Sequence, residues 1–79
     1  MYIHLGNNYI ISAQDVVAIL NMNTNLSEDL MDIIELARLD KKLVNISEDG
    51  KEKSLVVCKE QVYLSPISSV TLFKRGAAL

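Results

Sequence analysis

The sequence predicts an α+β fold in one compact domain, built of antiparallel strands with one long helix over about residues 27–42. Three observations carry that prediction. β-Branched and aromatic residues gather in short runs separated by Gly, Asn and Asp. One stretch alone, opening near Ser27, repeats its apolar residues at helical spacing. The chain has 79 residues, room for a single domain spanning 1–79 and one modest core.

The elements follow in order. Tyr2-Ile3-His4-Leu5 and Tyr9-Ile10-Ile11-Ser12 flank Gly6-Asn7-Asn8, residues that tolerate positive φ, so the first twelve residues read as a hairpin. Ser12 to Asp15 is a turn-like break. Val16 to Met22 is β-branched at its start and apolar almost throughout. It suits a strand buried on both faces, with a helical turn as the weaker alternative.

Asn21 to Asn25 is polar, and either Ser27, or Asn25 with Glu28 three residues on, offers a helix cap. Leu26, Leu30, Ile33, Ile34 and Ala37 then share one helical stripe, predicted to face the core. Glu28 and Asp29 suit the helix's positive end, Lys41 and Lys42 its negative end. Met31, Leu36 and Leu39 lie off that stripe, among Asp32, Glu35 and Arg38.

A strand is expected at Leu43 to Ile46, then a charged hairpin turn centred on Asp49-Gly50, then strands at Ser54 to Cys58 and Val62 to Ser65. Lys59-Glu60-Gln61 makes the turn between the last two. Pro66 ends the series, because proline cannot donate to a ladder. Ser68 to Arg75 either forms a short capped helix, the reading taken here, or runs extended.

The composition narrows the function. Cys58 is the only cysteine, so an internal disulfide is excluded, and His4 is the only histidine, so no metal cluster or cofactor is expected. A chain this short buries only roughly 60% of its unfolded surface. With 49% apolar residues, self-association is the remaining source of stability. Met31, Leu36 and Leu39 are the expected subunit contact, since exposed they would form an apolar patch.

The longest apolar run, Val16 to Leu20, is far too short to cross a bilayer. The opening residues lack a signal peptide's basic and apolar regions, which predicts a cytoplasmic protein.

Enzyme chemistry is a poor fit. His4 stands among Tyr2, Ile3 and Leu5 with no nucleophile or carboxylate assigned to it, and Cys58 ends an apolar strand. Asp29, Asp32 and Glu35 read as a solvated helix face rather than a carboxylate pair. Gly6, Gly50 and Gly76 are isolated, so no phosphate loop exists.

Two basic groups remain, Lys51 with Lys53 and Lys74 with Arg75. The net charge of −2 argues mildly against nucleic acid, but an oligomer would repeat each weak patch.

The opening Met1 to Gly6, then Ile11-Ser12 and Asp15-Val16-Val17, and the ending Tyr63 to Arg75 (Tyr-Leu-Ser-Pro-Ile-Ser-Ser-Val-Thr-Leu-Phe-Lys-Arg) together resemble the RemB-type extracellular matrix regulators of bacteria. These are sisters of the RemA regulators. The resemblance spans nearly the whole chain and is strongest at its two ends. It implies a cytosolic, non-enzymatic regulator of biofilm matrix genes, in a family whose RemA-type members bind DNA and form rings of identical subunits.

In those relatives DNA contact is attributed to arginines, one after the Ser-Ala pair that follows the first hairpin, and two after the glycine of the second-half hairpin. The matching positions here are Asp15 (or Gln14, one residue earlier) and Lys51-Glu52. An acid repels phosphate, and lysine lacks arginine's bidentate fork. Lys51, Lys53, Lys74 and Arg75 are therefore the candidate DNA-binding residues. The alternative is an oligomer of the same kind that docks a protein and has no DNA affinity.

Overall fold

A computed structural model describes residues 1–22 and 27–76. The first hairpin forms as expected. Strand β1 (Tyr2–Gly6) pairs antiparallel with β2 (Tyr9–Ser12), and Asn7 and Asn8 both take positive φ, 46° and 68°, as a type I′ turn requires.

Gly6 sits at φ 103° beside a shift in register, and an added Cβ there would lie 3.1 Å from Pro66 Cγ. A 3₁₀ turn (Ala13–Asp15), capped by the Ser12 hydroxyl, leads into β3 (Val16–Asn21).

Helix α1 (Glu28–Leu39) begins where Ser27 Oγ accepts from the Leu30 amide at 3.1 Å. It has 12 residues, not the sixteen of 27–42, and it is one of two α-helices among the described residues. The early stop has a local cause. Lys41 adopts φ 60°, the Lys41 amide donates to Arg38 O, and the Lys42 amide donates to Ala37 O at 2.9 Å. That pair of bonds is a Schellman motif closed by a lysine rather than a glycine.

Leu30 and Ala37 are buried and Ile34 packs beside them, whereas Ile33 is exposed, so the inward stripe is narrower than predicted. Leu26 and Asn25 fall outside the described residues.

Strands β4 (Leu43–Asn45), β5 (Ser54–Cys58) and β6 (Val62–Ser65) join β3 in a four-stranded sheet of order β3-β5-β6-β4. Strands from before and after α1 thus share one sheet. Two expectations are corrected here. The β4–β6 pair is parallel. And β4 and β5 are not a hairpin, because β6 lies between them.

The linking segment from Ile46 to Lys53 is long enough to pass over one strand. Asp49-Gly50 still turns, with the Lys51 amide donating to Glu48 O and Gly50 at φ 79°, but the turn does not decide which strand comes to lie alongside. Strand β3 is also not buried on both faces. It is an edge strand whose Val17 is exposed.

Alternation along the sheet builds two cores. One face carries Leu55, Val62 and Leu64 against Leu30, Ile34 and Ala37 of α1. The other carries Val56 and Tyr63, covered by Ile3, Leu5 and Ile11 of the hairpin and by Leu72 of α2 (Ser69–Arg75). Helix α2 is capped by Ser68 Oγ, which accepts from the Thr71 amide.

Buried hydroxyls pin the hairpin layer to the sheet. Ser65 Oγ donates to Leu5 O at 2.7 Å, and Ser54 Oγ donates to Ile67 O at 2.8 Å. Tyr9 meets Tyr63 edge to face at 6.4 Å, and Asn7 Nδ2 donates to Ile46 O.

Four stability effects follow, each measurable by urea denaturation. Leu30→Ala should cost about 2–4 kcal/mol through lost transfer energy and a cavity. Gly6→Ala should cost about 2–3 kcal/mol, because strained φ and a crowded Cβ add, while Gly50→Ala, with open space around it, should cost about 1 kcal/mol. Lys41→Gly should stabilise by about 0.5–1 kcal/mol by relieving the left-handed residue.

Candidate nucleic-acid interface

The four candidate cations lie in two places, Lys51 and Lys53 in the segment that leads into β5 and Lys74 and Arg75 at the end of α2. Lys51 leaves the turn at Gly50, exposed, with its Nζ 3.5 Å from Glu48 Oε2. At that exposure the pair is worth little, so Lys51 remains available to another anion. Lys53 is held firmly through its backbone. Its amide donates to Ser65 O at 2.9 Å and its carbonyl accepts from the Met22 amide at 3.0 Å. Its side chain is exposed.

Arg75 closes α2. Its Nη1 donates to His4 O at 2.7 Å, tying the helix to β1 while leaving the guanidinium largely in solvent. Lys74 beside it is exposed.

A short chain of contacts links these groups. Lys53 bonds to Ser65, Ser65 to Leu5, and the neighbouring His4 to Arg75. Through these links the Lys53 backbone and the Arg75 guanidinium are each fastened near the seam where the hairpin layer meets the end of the sheet. Lys51 precedes that seam in the chain and Lys74 adjoins it. His4 contributes its backbone carbonyl to this junction.

The opposite end of β5 is acidic. Val16 pairs with Cys58 there and the Lys59 amide donates to Asp15 O at 2.9 Å, whereas Asn21 pairs with Ser54 at the lysine end. The five residues of β5 separate the two ends by about 14 Å. The two positions compared with arginines above, Asp15 and Lys51, therefore do not form one patch on a single subunit. Gln14 is exposed beside Asp15, and Glu52 is half-buried between the two lysines.

Asp15, Glu60, Gln61, Ile11, Cys58 and Tyr63 line a small pocket of about 60 Å³ at this acidic end. It does not resemble a reactive centre. Burial, reinforced by Asp15, pushes the Cys58 thiol up to about 11, so it stays protonated and unreactive at neutral pH. Burial likewise raises the Tyr63 hydroxyl. Among the described residues no group of three His, Cys, Asp or Glu side chains could hold a metal, and no helix is long and apolar enough to cross a membrane.

The expected subunit contact is on the outer side of α1. Met31, Leu36 and Leu39 are 55%, 62% and 63% exposed. Glu35 lies among them, held below its usual range by the Arg38 guanidinium, which bonds to it through Nε at 3.1 Å and also through Nη2.

Sequence reasoning missed a second apolar face. On α2, Val70 and Phe73 are 62% and 59% exposed. Their spacing around Leu72, the residue of α2 that points fully inward, was the available signal once the segment is taken as helix.

Comparison with known proteins agrees with the resemblance at both ends of the chain. The family model described as RemA-like, extracellular matrix regulatory protein A-like, matches residues 2–75. Extracellular matrix regulatory protein B of Bacillus subtilis (strain 168) is 40% identical over 76 residues, covering 96% of this chain and 90% of that protein. With the match running from the first hairpin through α2, the chain belongs to the RemA-like family of extracellular matrix regulatory proteins.

Proposed function

We propose that this chain is a non-enzymatic, cytoplasmic regulator of extracellular matrix gene expression that works as a homo-oligomer and binds DNA. The regulatory role is read from the B. subtilis relative's name. In this reading the DNA-binding surface is the seam bearing Lys53 and Arg75, with Lys51 and Lys74 at its margins, repeated once per subunit.

The observation that carries it is that the Lys53 backbone and the Arg75 guanidinium are both fastened near the junction of the hairpin layer with the sheet, while Asp15 and Glu60 stand at the other end of β5. Lys51 and Lys53 share their segment with Glu48, Asp49 and Glu52, so a locally positive edge in this reading depends on Lys74 and Arg75 beside them. Repetition in an oligomer multiplies that edge, and each phosphate neutralised adds counterion release to the affinity.

A second reading has its own support. Glu52 lies between the two lysines, and Asp15 stands where a phosphate-binding arginine would be needed. Both suit an oligomer that docks a protein instead of DNA.

A salt titration of duplex DNA binding, followed by fluorescence anisotropy, separates the two. Two phosphate contacts per subunit predict a loss of about tenfold in affinity between 50 and 200 mM salt for one subunit, and more for an assembly. Lys51→Glu with Lys53→Glu should abolish binding and leave the particle mass unchanged. Absence of salt-sensitive binding by the unaltered protein at low ionic strength, or unchanged binding by the double variant, would favour the protein-docking reading.

A further inference from the structure

We infer that Asp49 and Gly50 form a site of spontaneous modification, at which the Asp49 side chain closes on the Gly50 amide to a succinimide that opens to isoaspartate. The chemistry is independent of what the neighbouring lysines bind.

Ring closure needs an aspartate carboxyl free to approach the next residue's amide nitrogen, an amide that is not donating elsewhere, and no side chain crowding that next residue. Asp49-Gly50 meets all three conditions. Both residues are exposed, and they are the central pair of the turn in which the Lys51 amide donates to Glu48 O. Among the described residues, the Gly50 amide makes no hydrogen bond and the Asp49 carboxylate has no hydrogen-bond or ion-pair partner. The adjacent Lys51 ammonium lies beside Glu48 instead. Nothing stands within 4 Å of where a Cβ on Gly50 would be, so the ring has room to form.

No other Asp or Asn in the chain precedes a glycine. Asp15, Asp32 and Asn45 precede the β-branched Val16, Ile33 and Ile46. The Val16 and Ile46 amides are also engaged, donating to Ala13 O and Leu64 O. Asn7 is held by the bond from its Nδ2 to Ile46 O.

In the first step the Gly50 nitrogen gives its proton to solvent and attacks Asp49 Cγ. The Cγ–N bond forms and one carboxyl oxygen leaves as water. A water molecule then opens the ring at one of two bonds. Cleavage of the new Cγ–N bond restores aspartate. Cleavage of the original peptide bond leaves the chain running through Cγ, with the former main-chain carbonyl as a free carboxylate. Mass and charge return to those of the starting protein, and no oxidant or reductant takes part. The backbone is one carbon longer, so the bond from the Lys51 amide to Glu48 O is reset. Lys53 stays fastened, through its amide to Ser65 O and its carbonyl from the Met22 amide.

Ageing the full chain at neutral pH and physiological temperature tests the site. Isoaspartate is counted by enzymatic methylation of its free carboxylate with labelled S-adenosylmethionine, and located by mass spectrometry of tryptic peptides. The label should concentrate in the peptide 43–51, at a rate close to that of the same peptide free in solution. Gly50→Ala should slow its formation by about tenfold or more, because a side chain on residue 50 crowds the closing ring. Asp49→Glu, whose longer side chain closes far more slowly, should remove the label from this peptide. Both changes lie in an exposed turn, and circular dichroism checks that the fold is kept; should Gly50→Ala unfold, Asp49→Glu decides. Label concentrated in a different peptide would overturn the assignment, as would a rate in the folded chain about tenfold below that of the free peptide. Undiminished label in the peptide 43–51 of either folded variant would overturn it equally.

Discussion

Leu55 and Val56 are neighbours on β5, point to opposite faces of the sheet, and are both fully buried. The rest of the structure follows from that pair. A central strand buried on both sides needs two covering layers, and a chain of 79 residues has little material for them. One layer is α1. The other is assembled from two small pieces, the first hairpin and the seven-residue α2. Each layer is a single element thick, so whatever lies on its outer side meets solvent unless another molecule covers it.

The assembled layer has to be registered as well as present. Ser65 and Ser54 do this with fully buried hydroxyls that donate to Leu5 O and Ile67 O. Losing either donor would strand a buried carbonyl, at a cost of about 1–3 kcal/mol. The same junction fastens the Lys53 backbone and the Arg75 guanidinium, two of the candidate cations. Stability and the candidate binding surface therefore share residues, which is a reason to locate function at this end of the sheet rather than at the acidic pocket around Cys58.

Local chemistry was legible in the sequence; long-range partnership was not. Gly6-Asn7-Asn8 announced a hairpin because few other residues accept those dihedrals, and Ser27 and Ser68 announced helix starts because their hydroxyls cap them. The end of α1 was hidden, since the left-handed residue there is Lys41 and not glycine. The parallel β4–β6 pair was hidden too. Asp49-Gly50 specifies a turn, but nothing local specifies that β6 will slot between β4 and β5. Strand β3 reads as fully buried because its side chains are almost all apolar, yet it stands at an edge. The candidate lysines could be picked out by charge alone. That Asp15 lies at the far end of β5 from Lys53 required the sheet order.

The central claim is that both thin layers finish their burial against other copies of the chain. Hydrogen exchange across a dilution series tests it most directly, because amides of α1 and α2 would owe part of their protection to the neighbour. Protection of both helices should fall together as the protein is diluted. Protection that stays constant over the same range in either helix would contradict the account.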